Sequence, residues 1–184
     1  MSPEFIKKLK DQIWQNADKD PSLNIYAILD AARDERIYSK LISSEIQYFC
    51  LFRGEKAREL SLVAPYLAPL NRDDPFTRWL FEFGWGNSWG IFVELAADLS
   101  ALKRHFHGLV SVYDETGRPL YFRYYDPRVL RVYLPTCNEL ELAEVFGPVN
   151  FYYVEDEAST GMMGYAFAQG SLVEQKINLR LSGK

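Results

Sequence analysis

Apolar residues recur at helical spacing near the start of the chain, where Phe5, Ile6, Leu9 and Ile13 follow Ser2 and Pro3. A capping serine and a first-turn proline ahead of that stripe predict an amphipathic helix over 3–17. Asp20-Pro21-Ser22 ends it. Asn24-Ile25-Tyr26-Ala27-Ile28-Leu29-Asp30 is a short continuous apolar run, which predicts a strand buried on both faces near the centre of a sheet. Residues 32–43 carry a weaker helical pattern, and Gln47 to Phe52 predicts an aromatic strand closed by Arg53-Gly54. Leu62 to Leu70 is apolar but holds Pro65 and Pro69, which argue against both a helix interior and a central strand. That segment is expected to be a rigid, extended edge.

Asp74 and Pro75 supply a cap and a first-turn proline for a helix whose Phe76, Trp79, Leu80 and Phe83 predict one buried face. The loop Gly84-Trp85-Gly86-Asn87-Ser88 follows, and then a strand from Trp89 to Leu95. Asp98 is expected to cap a helix carrying Leu102 and Phe106, with Gly108 as its stop. Leu109 to Tyr113 and Leu120 to Tyr125 predict an antiparallel hairpin across Asp114 to Pro119. Asp126-Pro127 opens a short helix to about Tyr133, and Thr136 with Glu139 predicts a capping box for a helix ending at Gly147-Pro148. Val149 to Val154 and Met163 to Phe167 are late strands; from Ser171 helix and strand patterns compete. The sum is an α/β (mixed α+β) single domain, a mixed sheet with flanking helices.

Composition narrows the function classes. A chain of 184 residues with 48% hydrophobic and 25% charged positions supports one hydrophobic core and argues against disorder. The 15% aromatic content is high for a small core; composition alone favours an aromatic-rich core, with some rings as candidate surface anchors. A net charge of −4 with scattered Lys and Arg gives no attraction to nucleic acid or anionic lipid. Neither a signal-type leader nor the roughly 20 apolar residues of a membrane span is present, so a cytoplasmic protein is expected. Cys50 and Cys137 lie far apart in sequence, without ligand spacing.

Chemistry-bearing motifs are equally sparse. His105 and His107, two apart on a helix, point roughly 200° from each other and cannot share a metal ion. Gly84 to Gly90 is glycine-rich, but it runs from helix to strand, the reverse of a phosphate loop. No nucleophile elbow or thiol signature occurs. Neither catalysis, a metal nor a cofactor is expected.

The most distinctive stretch is Tyr121-Phe122-Arg123-Tyr124-Tyr125-Asp126-Pro127-Arg128-Val129-Leu130, a strand that turns sharply into a helix. Asp126 and Pro127 predict a structural motif, a capped turn. Arg123 is placed to pair with Asp126 or with an incoming carboxylate, and Arg128, one step into the helix, is expected to be exposed.

This stretch resembles the Phe-Arg-Tyr-Asp-Pro-Arg signature of the type VI secretion effector chaperones, also called Tap or TEC adaptors. Other pieces agree in order: Tyr26 to Asp30, Leu51-Phe52, Ala64-Pro65-Tyr66-Leu67, Leu102 to Phe106, Leu130 to Pro135 and Phe146-Gly147-Pro148. The resemblance spans Asn24 to Val154. It implies three parts: an N-terminal helix (1–23), an adaptor domain (24–155) and a short C-terminal extension packed on it (156–184).

It further implies a non-enzymatic adaptor whose partners are a cognate toxic effector and the VgrG spike protein. The partner-binding candidates are Arg123, Tyr125, Arg128, Pro65 and Tyr66. Many longer relatives carry a further helical lobe, and whether the short tail here takes its place stays open. Two other readings stay open from the residues alone: an immunity protein that plugs a toxin's basic site, and a small enzyme using dispersed carboxylates.

Overall fold

The computed structural model describes residues 1–96, 99–113 and 119–179. Its organising element is strand β1 (Asn24–Asp30), buried from Ile25 onward. Ile25, Ala27 and Leu29 join one hydrophobic cluster and Tyr26 and Ile28 the other, which is why its sequence is a continuous apolar run. The other strands of its sheet are β2 (Phe49–Cys50), β3 (Pro65–Leu70), β4 (Gly90–Leu95), β7 (Phe151–Glu155), β8 (Gly161–Ala168) and β9 (Ser171–Asn178), in the order β2-β3-β1-β4-β7-β8-β9. Every pairing is antiparallel, where a mixed sheet was expected. A separate hairpin, β5 (Ser111–Tyr113) with β6 (Pro119–Tyr121), is shorter than the sequence suggested.

Helices cover both faces. On one lie α1 (Pro3–Ile13), α2 (Glu35–Ser43) and α4 (Pro75–Gly84), which bury Ile6, Leu9, Ile13, Ile37, Leu41, Phe76, Leu80 and Phe81. On the other lie α5 (Leu99–Val110), α6 (Pro127–Tyr133) and α7 (Glu139–Phe146), which bury Leu102, Phe106, Leu109, Leu130, Leu142, Val145 and Phe146. A short α3 (Gly54–Glu59) has no buried residue. The single α/β domain with flanking helices is thus what the chain forms. The C-terminal strands β8 and β9 extend the same sheet, and the question of helix or strand after Ser171 resolves to strand.

Several local expectations are corrected. Pro65 and Pro69 sit in β3, which pairs with β2 on one side and β1 on the other, so this is not an edge. Pro65 O accepts from Leu51 N (2.8 Å), so Pro65, Leu67 and Pro69 turn their backbone groups toward β2. β2 opposes only Tyr66 and Leu67, so neither missing N–H breaks the ladder to β1. In α4 the buried face is Phe76, Thr77, Leu80, Phe81 and Gly84, while Phe83 is 43% exposed. α5 runs through Gly108 to Val110 because Leu109 and Val110 pack in the core beyond it. Its expected cap, Asp98, and the hairpin turn Asp114 to Arg118 lie outside the described residues. The capping box of α7 is Asn138 with Glu141; Thr136 instead donates to Tyr133 O (2.7 Å). Both histidines are half-buried and bonded, His105 Nε2 to Val145 O (3.0 Å) and His107 Nδ1 to Leu51 O (2.9 Å).

Candidate functional site

The turn from Arg123 to Arg128 meets the sheet at the end of β1. Asp126 is extended (φ −84°, ψ 119°) and accepts from Arg128 N (2.9 Å), and Pro127 fills the first helical position, as the sequence predicts. The side chain of Arg128 then folds back onto its own cap. Nε donates to Asp126 Oδ1 (3.0 Å) and Nη2 to Oδ2 (2.6 Å), a two-pronged grip. Burial pushes the Asp126 carboxyl up, but the Arg128 bonds and charge outweigh it and hold it below the ordinary range. Asp126 is buried while Arg128 stays about half exposed, so the fork is both anchored and accessible.

Arg123 does not pair with Asp126. Its guanidinium bonds the carboxylate of Asp30, the last residue of β1, whose other oxygen accepts from Ala32 N (3.1 Å). Asp30 is 1% exposed and Arg123 46%. This pair ties the turn to the central strand across 93 residues of sequence. A second fork of the same design lies nearby, where Asp34 caps α2 and receives Arg36 Nε (2.8 Å) and Nη2 (2.7 Å). The Arg36 guanidinium lies 5.0 Å from the Trp89 ring centre.

The remaining candidates are placed differently from expectation. Tyr125 is buried (4% exposed), and burial pushes its hydroxyl up to about 12, so it supports the turn from beneath. Pro65 is buried in β3, and Tyr66 is 3% exposed and donates to Ser61 O (2.7 Å). None of these three reaches the surface in a form a partner touches. Pro65 and Tyr66 lie in a segment expected to be an edge and Tyr125 in one expected to be a hairpin strand, and in both tertiary packing covers the side chains.

What the sequence did not single out is the outer ridge of α6. Val132 is 72% exposed, and Val129, Tyr133 and Phe122 flank it. The concavity there, about 590 Å³, is bounded by Asp126 and Arg128. A second, of about 840 Å³, opens on the other flank of the helix between Arg128, Arg131, Val132 and the strands β7 to β9. Arg128 and Val132 border both. In that second groove the loop before β4 clasps Glu155: Gly86 N (2.5 Å), Ser88 N (3.1 Å) and Ser88 Oγ (3.0 Å) all donate to its carboxylate. Gly86 needs its positive φ of 86° for this turn. A signal for Val132 existed, since it is an apolar residue on the polar side of the α6 wheel.

Fold and site together define an antiparallel α/β domain whose central strand is locked to an arginine-forked, aspartate-capped turn. The chain belongs to the family described as a domain of unknown function (DUF4123), whose model matches residues 25–144. No curated protein and no solved structure matches.

Proposed function

We propose that this chain is a cytoplasmic, non-catalytic adaptor that holds a toxic effector and helps mount it on the VgrG spike of a type VI secretion system. The observation that carries the reading is the α6 ridge, where half-exposed Arg128 and the uncovered Val132 border the same two grooves, with half-exposed Arg123 in the turn that leads into the helix. Their buried aspartates already hold both guanidinium groups in place. A partner meeting them gains oriented donors beside apolar area without the full entropic cost of ordering them. Membership of the family and the ordered motifs around the turn support the same reading. Among the described residues no helix is long and apolar enough to cross a membrane.

The test is co-expression of the tagged chain with each protein encoded beside it, followed by light-scattering mass of any complex. A defined complex with a toxin and with a spike end is expected. Val132→Asp, at a position 72% exposed, is expected to keep the melting temperature and weaken capture at least about tenfold. Toxin inhibition without spike binding selects the immunity reading. Failure of every neighbour to bind overturns the adaptor.

A further inference from the structure

The two ends of the seven-stranded sheet are finished in opposite ways. At one end β2 is two residues long, its neighbour Leu51 bonds His107, and Pro69 offers no donor beyond it. That edge is closed to further pairing. At the other end β9 is eight residues long, contains no proline, and has exposed or half-exposed side chains throughout. Among the described residues no strand pairs along its outer side.

We infer that β9 is a dimerisation edge, on which a second copy of this chain adds its own β9 antiparallel across a two-fold axis at Gln175. The backbone fixes which residues face outward. Leu179 N donates to Thr160 O (3.2 Å), so the odd-numbered residues of β9 turn their polar groups toward β8. Leu172, Glu174 and Lys176 therefore present theirs to solvent. In a symmetric pair an outward residue must oppose an outward residue, which leaves few registers.

A two-fold at residue 174 sets Glu174 against its own copy, and one at 176 sets Lys176 against its own copy. Both place like charges directly opposite. The two-fold at Gln175 instead sets Glu174 opposite Lys176 twice. The same register sets Val173, 48% exposed, opposite Ile177 twice. Two-folds nearer either end of β9 pair fewer of its eight residues, so strand overlap together with charge and apolar complementarity selects one register and one occupant, the strand's own copy. Two strand edges alone bury less than the ~1,200 Å² of a standard stable interface, so a micromolar rather than nanomolar dimer is expected.

The experiment is light scattering on the full chain at concentrations from about 1 to 500 µM, where mass action reveals a micromolar dimer. Twice the monomer mass at the upper end is expected. Glu174→Lys and Lys176→Glu are each expected to weaken dimerisation about tenfold or more, since each turns both attractive pairs repulsive. The double swap restores both pairs in reversed polarity and is expected to recover the wild-type mass. Circular dichroism melts check that these surface changes leave the monomer folded. A monomer across the whole range, a dimer indifferent to the single reversals, or a double swap that fails to recover would each overturn the inference.

Discussion

The Asp30–Arg123 pair is the tie most directly testable by energetics. Asp30 is 1% exposed, and apart from Arg123 its carboxylate has the Ala32 N–H as hydrogen-bond partner. Replacing Arg123 by Met keeps much of the apolar stem but leaves a buried carboxylate without its counter-charge. A fully buried pair loses about 3–5 kcal/mol when broken this way, and an exposed pair under about 1 kcal/mol. Arg123 is 46% exposed, so water reaches its side of the contact and the expected cost falls between, at about 2 kcal/mol. For a chain of this length that lowers the melting temperature by about 4–8 °C. Asp30→Asn keeps an acceptor for Ala32 N and leaves no charge buried, while the half-exposed Arg123 stays in reach of water, so it is expected to cost about 1 kcal/mol.

The double variant is the informative one. With both charges gone no carboxylate is stranded, and the pair is expected to show a coupling of about 1–2 kcal/mol in urea unfolding. Equal m-values across the four proteins are required for the cycle to be read. A coupling within about 0.3 kcal/mol of zero would refute the claim that this contact locks the turn to β1, and would make the pair an incidental surface contact.

Three further outcomes follow from local geometry. Gly108 lies inside α5 with nothing within 4 Å of where a Cβ would stand, so Gly108→Ala is expected to raise stability by about 0.5–1 kcal/mol in chemical denaturation. Gly147 caps α7 at φ 47°, and a Cβ there would meet the His105 ring at 2.6 Å; Gly147→Ala is expected to cost about 2–3 kcal/mol in the same assay. Glu94 is buried, and desolvation raises its pKa above the ordinary 4.5 despite the bonds from Asn16 and Tyr153. Its folded form binds a proton more readily than its unfolded form, so its contribution to stability is present below pH 4.5 and is lost as pH rises through the folded value. Glu94→Gln is expected to gain on the wild type as pH rises to 7, measured by melts across that range.

Where local chemistry alone decided the structure, the sequence was legible. Asp74-Pro75 and Asp126-Pro127 each announce a cap and a first turn, and both helices start there. β1 is also where its apolar run put it, because burial on both faces leaves no polar position to confuse the period. The misses share one cause. Pro65 and Tyr66 looked like an edge, yet pairing parity lets the prolines point away from β1. Gly108 looked like a stop, and core contacts of Leu109 and Val110 override it. For Arg123 the spacing offers Asp126, three residues away, or an incoming carboxylate, whereas its partner in the fold is Asp30, 93 residues away, which no local spacing encodes. Of the proposed contact residues, Arg123 and Arg128 reach the surface and Tyr125, Pro65 and Tyr66 do not.

The family match and the folding unit have different limits. The match ends at residue 144, inside α7, but β4 is paired on its far side by β7, which begins at Phe151. Tyr152 is fully buried and donates to Val145 O (2.6 Å) in α7, so that helix is seated by a residue beyond the match. β7 is in turn covered by β8, whose Met162 and Tyr165 enter the two opposite cores. The Asp126 turn faces this added part as well, since Arg131 of α6 donates to Glu155 O (2.6 Å) at the end of β7. A segment cut at the family boundary therefore leaves β4 with an open edge and α6 and α7 without their floor. The arginine-forked turn is held between the family's central strand on one side and these late strands on the other. Variation in the late strands thus has a direct physical route to the angle at which Arg128 and Val132 are presented.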